Sequence, residues 1–188
     1  MCNSAEERHN VLLMASRFFR SAPATAPDRM GVLGPRRIVV PVKGDLVDGD
    51  ALRAACRLAR PAKASILVIT VLEVPRHLPL TVSLDQELVA AEDVLAQMEE
   101  LAEKLGTKVE TTVLQARAAG PAVVDEAQRW GADLVVVGLG SPQRFGEFTL
   151  DRNGEELLNR VHCRLIMIRE ALEPSDPHSA VALSRGLG

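Results

Sequence analysis

Two glycine-containing loops carry the residue types best suited to binding a ligand. One is Val42-Lys43-Gly44-Asp45, and the other runs from Gly138 through Gly140, Ser141 and Arg144 to Gly146. Glycine lets backbone amides come close to a ligand. A helix predicted to open near Asn153 would add amides and a dipole that favour an anion. These features suit a nucleotide. Other residues at the same place oppose that chemistry. Asp151, Glu155 and Glu156 put three carboxylates at or near the helix start. A carboxylate about 4 Å from a phosphate repels it by ~1–4 kcal/mol per charge pair, depending on the local dielectric. Asn153 and Glu156 have the spacing of a capping box, which would use the amides inside the helix. Lys43, Arg144 and Arg152 could offset the repulsion, so phosphate is disfavoured rather than forbidden. The expected arrangement is a pairing of Lys43 with an acidic group such as Asp151 across the crevice.

No Ser-His-Asp, Cys-His or paired-carboxylate constellation emerges, so the expected protein is not an enzyme. His162-Cys163 reads as a junction between a helix and a strand. Cys56 lies on an apolar helix face and belongs in a core. His9, His77 and His178 are scattered, without partners at metal-ligand spacing. Trp130 fits a helix seam. Phe145 and Phe148 read as a hydrophobic contact point or as a cover for the crevice.

The elements that must position the loops follow from periodicity. Residues 37–42 (RIVVPV), 65–74 (SILVITVLEV), 133–137 (DLVVV) and 164–169 (RLIMIR) are short apolar runs, predicted as buried strands. Residues 107–114 alternate polar and apolar types, as an edge strand does. Leu52, Ala55, Cys56 and Ala59 line one face of a helix over residues 50–60, stopped at Pro61. A long helix spans residues 85–105, with Ser83 and Gln86 at capping-box spacing and Gly106 at its end. Further helices cover residues 120–130, with Pro121 in the first turn and Gly131 after it, and residues 154–161. Strands alternating with helices of this length imply parallel pairing and right-handed crossovers. The predicted class is therefore α/β, a doubly wound three-layer sandwich of five strands and about four helices. Its ligand crevice lies beyond the carboxyl ends of the strands, where strand order reverses.

Composition narrows the partners. The 188 residues carry a net charge of −3, and only 3% are aromatic, with no Tyr. That combination argues against a nucleic-acid or membrane partner. Nothing approaches the ~18 consecutive apolar residues of a membrane span. Three widely spaced cysteines fit a reducing cytoplasm. Residues 1–35 differ from the rest: an amphipathic stretch over residues 9–20 precedes a Pro-, Ala- and Gly-rich linker. An anchor, a partner-binding helix or a targeting peptide is one reading. The expectation here is a flexible extension, with Met30 as a natural start. Residues 171–188 read as a disordered tail, which leaves residues 36–170 as the folded domain.

RRIVVPVKG, RAAGPAVVDEAQRWGADLVVVG and the stretch through Val161-His162-Cys163-Arg164-Leu165-Ile166 resemble the universal stress protein family. The resemblance spans residues 36–169. It implies a five-stranded parallel sheet in the order 3-2-1-4-5 and a dimer that often pairs through the last strand. It places the nucleotide crevice at Pro41, Val42, Lys43, Val71, Val137, Gly138, Ser141, Asp151, Arg152 and Asn153. ATP-binding members carry glycine, two residues, glycine, nine residues, then glycine and Ser or Thr. Laid on this chain without a gap, the first glycine falls on Gly138. The remaining positions fall on Ser141, Asp151 and Arg152, and the family's acidic residue after the first strand falls on Lys43. The implied function is a regulatory or stress-response domain that works through a partner or small ligand, with no cofactor expected. One alternative is a domain that still binds ATP or another adenine nucleotide at an altered site, with slow hydrolysis as an accompanying activity. Residues 144–152 (RFGEFTLDR) also resemble loops of stress-protein domains fused to amino-acid transporters. A soluble companion of such a transporter is the other alternative, and the only membrane contact envisaged.

Overall fold

β-Branched and leucine-rich runs extend as strands, and the segments with helical periodicity cover them. The structure is a computed structural model that describes residues 34–140 and 150–169. Its strands are β1 (Arg37–Val42), β2 (Ser65–Glu73), β3 (Glu110–Ala116), β4 (Leu134–Leu139) and β5 (Arg164–Arg169). Its helices are α1 (Leu46–Ala62), α2 (Asp85–Lys104), α3 (Ala119–Trp130) and α4 (Arg152–Arg160). All strand pairs are parallel, in the order β3-β2-β1-β4-β5. Both the predicted class and the order are therefore present. The chain builds outward from β1 to β3, then returns to place β4 on the other side of β1. The reversal point lies between β1 and β4.

Strand alternation sorts the core into two layers. Ile38, Val40 and Val42 face one side with Ile66, Val68 and Val136, against Leu52, Ala55 and Cys56 of α1 and Leu95 of α2. Val39, Leu67, Ile69, Val135 and Val137 face the other, against Val123, Ala127 and Trp130 of α3 and Leu157 of α4. Cys56 is core, as expected. Trp130 packs on the second layer and also holds the start of β1. The Arg37 guanidinium lies 5.5 Å from the Trp130 ring centre, and Arg37 Nη1 donates to the Trp130 carbonyl at 2.6 Å.

The element ends correct several expectations. Helix α1 begins four residues early and continues through Pro61, because a left-handed turn at Lys63 closes it. There Ala64 donates to the Ala59 carbonyl at 3.0 Å, which closes the last turn beyond the proline. Ser83 and Gln86 do not form a capping box. Leu84 is the residue at the helix boundary, and Ser83 Oγ bonds to the Asp85 carboxylate instead. Strand β3 starts three residues late because the Thr107 amide is committed to the Ala102 carbonyl at 2.9 Å, finishing α2. Asp133 precedes β4 rather than starting it. Its carboxylate accepts from the Arg36 and Arg37 amides at 2.8 and 3.1 Å, fixing the entry to β1. Gly131 takes a φ of +73° after α3, a conformation open to glycine at little cost.

Candidate functional site

The strand ends meet α1, α2, α3 and α4 around a crevice of about 300 Å³. Pro41, Val42 and Lys43 line it from β1 and its loop, and Val71 lines it from β2. Val137 and Gly138 contribute from β4, and Asp151 and Asn153 from the start of α4. The other two expected site residues are Ser141 and Arg152. Ser141 lies outside the described residues, as do Arg144, Phe145 and Phe148. Arg152 is exposed on the first turn of α4 and does not line the crevice, because the N-cap residue before it takes the inward position.

The loop after β1 is organised by a residue that sequence reasoning passed over. Asp48 is 2% exposed, and its Oδ2 accepts from the amides of Lys43, Gly44 and Asp45 at 2.7, 2.9 and 2.9 Å. Burial pushes the Asp48 carboxyl above its usual range, and the three amides hold back part of that rise. The sequence signal was the acidic residue three positions after Asp45, visible once α1 is known to begin at Leu46.

Gly138 has a packing reason as well as a place at the crevice. A Cβ there would lie 2.9 Å from Val47 Cγ1 and 3.1 Å from the Val47 carbonyl carbon. The end of β4 and the first turn of α1 therefore approach too closely for a side chain.

At the opposite wall, Asp151 is the N-cap of α4, and its Oδ1 accepts from the Gly154 amide at 2.7 Å. Its Oδ2 pairs with Lys43 Nζ at 2.7 Å, the cross-crevice pairing the two loops were expected to make. The expected capping box of Asn153 and Glu156 is absent. Asn153 Oδ1 instead accepts from the Gly120 amide at 3.1 Å, and Glu156 pairs with Arg160 at 3.3 Å. A close approach of α3 and α4 explains the change, since a Cβ on Gly120 would sit 2.8 Å from Glu156 Cβ. The Ala119 amide is taken by Glu73 Oε1 at 2.7 Å. At each of three potential anion cradles the protein's own side chains thus engage amide donors: those of Lys43, Gly44 and Asp45 at the β1 loop, Ala119 and Gly120 at the start of α3, and Gly154 at the start of α4.

The ion pair also sets the titration of Asp151. Burial raises its carboxyl pKa, but the Lys43 hydrogen bond, the Gly154 amide and the Lys43 charge together leave it below the ordinary value. A carboxyl lowered in the folded state stabilises the fold above its unfolded pKa of about 3.9. That contribution is lost as the pH falls below this value and through the folded pKa. Lys43→Met should therefore raise the Asp151 midpoint in a carboxyl NMR titration. An unchanged midpoint would mean that the Lys43 contact contributes nothing.

Sequence reading also missed Thr70 of β2 and the wall formed by Glu87, Ala90, Ala91 and Val94 of α2. Among the described residues, no group of three or more His, Cys, Asp or Glu side chains could hold a metal ion. Likewise, no helix among them is long and apolar enough to cross a membrane.

Comparison with known proteins gives the fold a context. A profile described as the universal stress protein family matches residues 34–169. A universal stress protein of Methanocaldococcus jannaschii is 24% identical over 141 residues, 72% of this chain and 82% of the relative. A universal stress protein structure from Archaeoglobus fulgidus superposes with a TM-score of 0.62 at 21% identity, covering 71% of this chain and 98% of that one. Another from Archaeoglobus fulgidus, in complex with dAMP, gives a TM-score of 0.56 at 22% identity, covering 71% and 97%.

Proposed function

The chain belongs to the universal stress protein family, and on that premise we propose that it is a non-catalytic regulatory domain whose crevice does not hold ATP. The observation that carries this reading is the 2.7 Å ion pair between Lys43 and Asp151. Phosphates bind where bare amides and the positive end of a helix face them. At α4 the Asp151 carboxylate already occupies that end, on the Gly154 amide. A phosphate entering there would meet that carboxylate, and the lysine able to neutralise the phosphate is already engaged. The pair is about half exposed, so it contributes little to stability. Its role in this reading is to set which charges the crevice accepts.

The dAMP complex of an Archaeoglobus fulgidus neighbour supports a second feature of the reading. A protein of this fold can take a molecule of nucleotide size, and the crevice volume here stands at the lower end of the ~300–1,000 Å³ usual for small-molecule sites. Regulation would then proceed through a small ligand, a partner, or both. Strand β5, at the sheet edge among the described residues, is the surface we assign to pairing with a second copy, since an edge strand invites another strand. A monomer in light scattering at micromolar concentration would remove that assignment.

Denaturing the purified protein and measuring released nucleotide by mass spectrometry tests the main reading. The expected result is no stoichiometric ATP. One ATP per chain would overturn it.

A further inference from the structure

The strand order leaves one face of β5 thinly covered. On that face α2 lies over β2 and β3, and α1 lies chiefly over β1 and β4. Ile166 of β5 and Leu58 of α1 are each 36% exposed there. Beside them, the amino ends of β4 and β5 open a groove of about 380 Å³, lined by Pro35, Leu58, Leu134, Arg164, Leu165 and Ile166. All but Arg164 are apolar. The groove stands at the opposite end of the sheet from the crevice.

Two observations point to what covers it. The chain enters the domain here: Gly34 is the first described residue, and Pro35 beside it is part of the lining. Upstream, residues 9–20 (HNVLLMASRFFR) carry an apolar stripe at helical spacing. Val11, Met14, Ala15 and Phe18 fall on one helical face with Leu12 and Phe19 beside them, while Asn10, Arg17 and Arg20 fall on the other. A segment this short is not stably helical alone in water, so it needs an apolar surface to pack on. Residues 21–33 span ~20 Å as a flexible chain, enough to turn a ~14 Å helix of residues 11–19 back along the groove. The other terminal segment starts from the wrong end, since Glu170 follows the carboxyl end of β5, ~20 Å along the strand from the groove.

We propose that residues 11–19 dock as a helix in this groove of their own chain, covering Leu58 and Ile166. The inference is independent of what the crevice binds. Tethering supplies an effective concentration on the order of 1 mM, so an intrinsic Kd of ~100 μM keeps the segment docked about nine-tenths of the time.

Hydrogen exchange of the full chain, read by mass spectrometry, tests this. Amides of residues 13–19 should exchange at least ~10-fold more slowly than an unstructured chain, equally at low and high protein concentration. Leu58→Glu places a charge in the groove, and Phe18→Ser removes an anchor from the segment; each should restore the unstructured rate. Amides of β4 report whether the domain stays folded. Where Leu58→Glu disturbs it, Phe18→Ser decides, because it leaves every residue of the sheet unchanged. Unstructured rates in the unsubstituted chain, or protection that survives either substitution in a folded domain, would overturn the proposal. Protection that falls on dilution would overturn it too, assigning the groove to a segment of a second copy.

Discussion

Replacing Asp48 by alanine is expected to lower the melting midpoint of this protein by about 10 °C, the largest effect of any single crevice substitution. The reason is local. One buried carboxylate oxygen holds three consecutive amides, those of Lys43, Gly44 and Asp45, within 2.9 Å. Hydrogen bonds to a charged group contribute roughly 1.5–3 kcal/mol each, but they are not additive here. Lys43, Gly44 and Asp45 are exposed, so water would rescue part of the loss. A net cost of about 3 kcal/mol remains, or about 3–4 °C per kcal/mol for a domain of this size. Asp48→Asn should fall between the two, because it keeps one acceptor and introduces a buried donor. Calorimetric melting decides the matter. A drop below about 3 °C for the alanine variant would mean that the amides are not held by this side chain in solution. The same variant should loosen the β1 loop and with it the position of Lys43.

The second large effect is a gain. Asp151→Gly combined with Arg152→Ser should raise ATP affinity at least ~10-fold, equivalent to about 1.4 kcal/mol. The change removes the carboxylate from the helix start, frees the Gly154 amide and releases Lys43 to face a phosphate. The lower end of the repulsion expected at about 4 Å, ~1 kcal/mol per charge pair, already accounts for most of that factor. Stability should change little, since glycine replaces an aspartate N-cap at a cost of only a few tenths of a kcal/mol. Asp151→Asn separates the contributions: it keeps an N-cap acceptor and removes only the charge, so an equal gain would assign the effect to charge alone. No gain in the double variant would show that Asp151 is not what keeps ATP out.

The sheet was legible from the chain because each buried strand is a short β-branched run bounded by glycine, proline or charge. Strands β1 and β5 begin and end at their predicted residues. The cross-crevice pairing was legible too, since Lys43 and Asp151 fall at two loops that the α/β topology brings together at the strand ends. What stayed hidden depends on contacts distant in sequence or on a single helix end. Asn153 reaches Gly120 across 33 residues, and Glu73 reaches Ala119 across 46. No local pattern encodes either bond, so Asn153 reads as the cap of its own helix when it serves the neighbouring one. Asp48 was missed because the apolar face of α1 is plain only from Leu52 onward, which hides the four residues that turn the chain into the helix. Thr70 sits in a run of apolar strand residues, where nothing in the sequence marks it as part of the crevice wall. Gly138 matched the family's first glycine, yet its close approach to Val47 shows that the fold itself calls for glycine at that position.

The Lys43–Asp151 pair, with the amides held by Asp48, Glu73, Asn153 and Asp151, is what sets this crevice against a phosphate. Equilibrium dialysis of the full chain against ATP, with magnesium and at physiological salt, tests it most directly. No saturable binding is expected below the millimolar range, corresponding to less than about 4 kcal/mol of affinity. Saturable binding at micromolar ATP, about 8 kcal/mol, would contradict it.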